Sequence, residues 1–163
     1  MLHLINRLFD LLIDFKAVLG RLLIVLMAIL VFIDVITLQI FDFSLSWIFE
    51  VNEYLLLFIT FLGATFVLRR NEHIKMDLIL NLLNKKQTRV VELVNSLVGM
   101  IVSLIMTVTG FMTTMNLYEK NILTEAVLSI PRFLIVMIIP IGFLFLTIQF
   151  LRMFIFRLKD KEL

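Results

Sequence analysis

Chemistry in this chain could start from the acids that lie within or beside its long apolar runs. Asp34 interrupts the run from Leu22 to Ile40, Glu50 and Glu53 stand three apart before the next run, and Glu92 stands at the head of a third. A carboxylate in hydrocarbon could take up a proton or a cation. An ionised Asp at a helix centre costs about 2.5 to 3.5 kcal/mol on insertion scales, so it must face protein or water rather than lipid. For Asp34 the plainer reading is a hydrogen bond to a neighbouring helix or contact with water at the membrane edge. Glu50 and Glu53 could gather cations, or form an interfacial ion pair with Arg132 or with a partner chain. Glu92, four residues before Ser96, is expected to pair with Lys or Arg of the preceding loop. His3 and His73 sit in separate segments, there is no cysteine, and no G-x-S-x-G, H-E-x-x-H or Gly-rich phosphate loop occurs. Without converging nucleophiles, bases or metal ligands, the sequence predicts a protein that is not an enzyme and needs no cofactor or metal.

The elements that carry these residues follow from composition. The chain has 163 residues, 61% hydrophobic and 17% charged, with a mean hydropathy of +1.07. That is too little polar surface for a water-soluble exterior, so an all-α integral membrane protein is expected. Four runs have the length of about 20 apolar residues that a spanning helix needs, over 18–40, 50–68, 90–117 and 133–156. The first exceeds a signal h-region and no A-x-A-like site follows it, so it is expected to remain in the mature protein. Residues 1–16 place His3, Arg7, Asp10 and Asp14 on one helical face and Leu4, Leu8, Leu11, Leu12 and Phe15 on the other. This predicts an interfacial helix; the alternative is an extension of the first span. A second interfacial helix is expected over 72–88, where Asp77, Asn81, Asn84 and Thr88 lie opposite Met76, Ile79, Leu80 and Leu83.

Of the 15 Lys and Arg, 13 fall in the N-terminal segment, the loop from Arg69 to Arg89 and the C-terminal segment, against Lys120 and Arg132 in the other loops. Cytoplasmic flanks collect such residues, so Arg69 and Arg70 should face the cytoplasm with both termini, and Glu50 and Glu53 the opposite side. The spread of these cations over loops, rather than one folded face, argues against a nucleic-acid partner.

Packing signals concentrate in the third span. Glu92, Ser96, Gly99, Ser103, Thr107, Gly110 and Thr114 recur on one face. In lipid, helices associate through close backbone approach and interhelical hydrogen bonds, which this stripe suits. The third helix is therefore expected to be the central packing element. In the second span Gly63 lies beside the small-xxx-small pair Thr60 and Ala64. Pro140 and Gly142 predict a bend in the fourth, many of whose phenylalanines are expected to face lipid.

W-I-F-E-V-N-E-Y from Trp47, F-L-G-A-T from Phe61, the pair Arg69 and Arg70, H-I-K-M-D from His73, L-S-I-P from Leu128 and P-I-G from Pro140 stand in this order. Together they resemble the small membrane subunit, DctQ-like, of the tripartite ATP-independent periplasmic (TRAP) transporters, over nearly the whole chain. The resemblance implies a multi-pass protein of the bacterial inner membrane, partnered in lipid by a large membrane subunit that carries the substrate and sodium sites. It also implies a periplasmic binding protein that delivers an organic acid. The small subunit would extend the static scaffold against which the transport domain moves, and would bind no substrate itself. The competing reading, motivated by Asp34, is a small dimeric proton-coupled exporter.

Overall fold

The computed structural model describes residues 2–71, 85–124 and 127–159, and the long elements are all helices. Helix α1 spans Leu2–Phe41, α2 Ser46–Asn71, α3 Lys85–Glu119, α4 Arg132–Val136 and α5 Ile138–Lys159. Four stretches are long and apolar enough to cross a membrane: Arg7–Phe41, Ser46–Arg70, Gln87–Glu119 and Arg132–Leu158. The fourth consists of α4 and α5, which part at Met137. Pro140 has no N–H to offer the Val136 carbonyl four residues earlier, the bond a regular helix would make there, so the break falls where proline chemistry puts it. The interfacial helix expected over 72–88 lies almost entirely outside the described residues, as does His73; its last positions belong to α3.

The first interfacial helix is not a separate element. Residues 1–16 and 18–40 were expected as two pieces, but α1 runs unbroken for 40 residues, about 60 Å at roughly 1.5 Å per residue. No proline interrupts it, and a single Gly such as Gly20 costs a helix only about 1 kcal/mol. The acids on its polar face, Asp10 and Asp14, meet arginines of other helices, whereas Leu8, Leu11, Leu12 and Phe15 are exposed. In a bilayer the solvent is apolar, so the leucines face out and the charges find each other.

Helix ends use residues that tolerate a left-handed backbone. Asp42, with φ 50°, follows α1, and Asn121, with φ 48°, follows α3; both belong to the types most often found there. The loop after α3 closes on itself through Thr124 N–H to Ile130 O at 3.0 Å and Arg132 N–H to Ile122 O at 3.0 Å.

Helix α5, not α3, is the hub. It packs against both α2 and α3, while α1 packs chiefly on α2 and α3 chiefly on α4 and α5. The reason lies on both sides of α5: Gly110 of α3 admits the Pro140 ring, Gly99 of α3 lies under Phe150, and Gly142 itself admits Phe61 of α2. Small residues on α3 mark a surface that is approached, and the approaching bulk comes from α5. Its phenylalanines therefore do not all face lipid. Phe143 meets Phe61 edge-on at 5.4 Å and Phe145 stacks on Phe9 at 5.6 Å, while Phe156 is exposed.

Candidate functional site

Charge gathers at the end of the bundle where α1, α2 and α5 converge. Arg152 of α5 donates through Nη1 to Asp10 Oδ1 of α1 at 2.8 Å. Arg69 of α2 pairs with Asp14 and donates to the Asp10 carbonyl at 3.2 Å. Arg152 also lies 5.2 Å over the Phe9 ring, and Arg70, which is exposed, lies 4.8 Å over Phe66. Each cation thus has a carboxylate or an aromatic face, which a charge near hydrocarbon requires. Sequence reasoning put Asp10 and Asp14 on a water-facing stripe and missed these pairs. The signal available was Arg152, a cation inside the expected fourth span 133–156, which demands a partner.

A second cluster joins α3 to α5. The Arg157 Nε is 3.3 Å from Glu92 Oε2, its Nη1 donates to the Glu92 carbonyl at 3.0 Å, and it also bonds the Ser96 hydroxyl. Arg89 donates to the Arg157 carbonyl at 2.7 Å. The expected partner of Glu92 was a cation of the preceding loop; the one it has comes from the antiparallel helix, level with it. Further along the seam the Ser103 and Thr147 hydroxyls are 3.0 Å apart, and Ser96 and Ser103 are both buried. Five of the expected stripe positions, Glu92, Ser96, Gly99, Ser103 and Gly110, meet residues of α5 across this seam.

At the opposite end the acids hold loops. Asp34 accepts from the Leu45 N–H at 2.9 Å and the Ser44 hydroxyl at 3.3 Å, so it braces the turn between α1 and α2. Glu50 accepts from the N–H groups of Val127 at 2.5 Å and Leu128 at 3.0 Å, and fastens the loop between α3 and α4 to α2. Arg132 is not its partner. Hydrogen bonds to a charged group contribute about 1.5–3 kcal/mol, and half-burial places these at the low end. Glu50→Ala is expected to free the loop, seen as faster amide exchange at Val127 and Leu128 with the helical content unchanged. Glu53 is exposed, and a Cβ on Gly63 would meet nothing within 4 Å.

Among the described residues no group of three or more His, Asp or Glu could hold a metal ion. The site is a framework of ion pairs and loop clamps that ties four helices together. Residues 27–160 match the profile of the family described as tripartite ATP-independent periplasmic transporters, DctQ component. The chain belongs to the DctQ family. It is 33% identical over 108 residues to the ectoine TRAP transporter small permease protein TeaB of Halomonas elongata, a match covering 66% of this chain and 55% of that protein. The chain thus spans about half the length of the curated relative it matches. The DctQ match begins within α1 and ends just past α5, so it takes in both loop clamps and both ionic clusters except the acids of α1.

Proposed function

We propose that this DctQ-family chain is the small, non-catalytic membrane subunit of a TRAP-type importer in the bacterial inner membrane. It pairs with a large transport subunit, to which a periplasmic binding protein brings the substrate, and widens the static scaffold against which the transport domain moves. The expected cargo is an organic acid driven by sodium, with both sites on the large subunit. What carries the reading is the family match over 27–160 on a chain whose intramembrane acids are spent on its own structure. The ionic clusters and most basic residues mark the end proposed to face the cytoplasm. Glu53, Gly63 and Arg70 of α2 are the positions assigned to partner contact.

The chain should co-purify in detergent with a much larger membrane protein, and uptake into proteoliposomes should need both subunits and the binding protein. Robust transport by this chain alone would overturn the assignment, as would labelling of residues 72–84 from outside the cell for the orientation. The exporter reading needs Asp34 to titrate during transport. Because Asn retains an acceptor for Leu45 N–H, Asp34→Asn is expected to leave uptake by the assembled complex nearly unchanged; abolished uptake with normal assembly would favour the exporter.

A further inference from the structure

Three polar side chains are enclosed where α1, α2 and α5 meet, and none belongs to the ion pairs. Lys16 is 9% exposed, Thr65 0% and Gln149 2%, and Lys16 Nζ, Thr65 Oγ1 and Gln149 Oε1 have no hydrogen-bond partner among the described residues. Lys16 Nζ lies 3.7 Å from the centre of the Phe145 ring, and Gln149 follows Phe145 by one helical turn. Side chains tilt toward the N-terminus of their own helix. On antiparallel α1 and α5 this brings the Lys16 and Gln149 head groups toward one another beside that ring. Thr65 enters from α2, three residues after Leu62, whose Cβ would lie 3.8 Å from a Cβ added to Gly20 of α1. The nearby acids Asp10 and Asp14 are already engaged by Arg152 and Arg69.

The chemistry of the three groups selects their ligand. Lys16 only donates, the Gln149 oxygen only accepts, and Thr65 does both. A cation would be repelled by the ammonium, and an anion would meet the Gln149 oxygen. A molecule that donates and accepts satisfies all three, and buried water typically makes about three such bonds to otherwise unpaired groups. We propose that internal water binds between α1, α2 and α5 and bridges Lys16 Nζ to Gln149 Oε1 and Thr65 Oγ1. It completes the junction beside the Asp10–Arg152 pair and lets a lysine remain in the helix interface at membrane depth. This assignment does not depend on the transporter reading.

Synchrotron radiolysis of the intact chain in detergent micelles, read by mass spectrometry, tests it, because bound water generates hydroxyl radicals that oxidise the adjacent side chain. Phe145 is expected to be oxidised, whereas Ile48, 1% exposed at the other end of the bundle, is not. The Phe145 label should be lost in the double variant Lys16→Met, Gln149→Leu. No oxidation of Phe145 in the unaltered chain overturns the proposal, as does a label that persists in the folded double variant. Should that variant fail to fold, the unaltered chain is decided by a high-resolution map of the detergent-solubilised protein within its complex. A compact peak within hydrogen-bonding distance of Lys16 Nζ and Gln149 supports water; density that continues into an acyl chain, or no peak, overturns it.

Discussion

Gly142→Leu is expected to abolish recovery of folded, monodisperse protein. A Cβ at this position would fall 2.5 Å from Phe61 Cδ1 and 2.8 Å from Phe61 Cβ, distances that real contacts do not show. The second distance matters most, because a ring can swing aside but a Cβ moves only with its backbone. Overpacking costs about 1–3 kcal/mol where side chains can adjust and more where they cannot. Here α2 would have to leave α5, and with it the Phe61–Phe143 contact. Gly142→Ala should already lower the thermal midpoint in detergent. Gly99→Leu meets the far end of the Phe150 ring at 2.5 Å, which rotation of that ring can partly relieve, so its loss of yield should be smaller than that of Gly142→Leu. Gly63→Leu is the control, with nothing near its Cβ, and should leave the isolated chain as stable as before. Equal yields for the Gly142 and Gly63 variants, measured by size-exclusion chromatography, would show that α2 and α5 do not meet as described.

Removing either side of the Asp10–Arg152 pair should have the next largest effect. Arg152 and Asp10 keep 29% and 40% of their side-chain surface, so the full cost of breaking a buried pair, about 3–5 kcal/mol, does not apply. A loss of about 1.5–3 kcal/mol is expected for Arg152→Ala, since Asp10 loses charge-assisted bonds while Arg69 still reaches its carbonyl. The exchange Asp10→Arg with Arg152→Asp is expected to recover much of it. Recovery will be incomplete, because a new arginine on α1 would stand beside Arg69. Denaturation of the two single variants and the double variant forms a cycle that isolates the pair. A coupling near zero would mean that the pair adds nothing to the hold of α5 on α1, leaving that contact to packing such as Phe9 on Phe145.

The roles of particular acids show where local sequence stops being informative. Asp34 and Glu50 were legible as groups that hydrocarbon would not tolerate, and both are indeed bonded. Their partners, Leu45 N–H and the N–H groups of Val127 and Leu128, were not legible, because any loop amide looks alike in sequence. Glu92 was expected to bond nearby in the chain and bonds 65 residues away. Asp10 and Asp14 were legible as sharing a face, but not as partners of Arg152 and Arg69. Periodicity reports that residues share a side of a helix; it carries no sign saying whether water, lipid or another helix lies there.

By itself the sequence determined the four membrane-spanning helices, the break ahead of Pro140 and the small-residue seam of α3. Hydrophobic length and backbone chemistry act within one segment and need no knowledge of neighbours. Only the tertiary structure decided that α5 is the hub, that α1 is one unbroken rod, and which arginine meets which acid. Those choices depend on the rotation and depth of each helix against the others, set by where bulk such as Phe61 and Phe150 finds a glycine opposite.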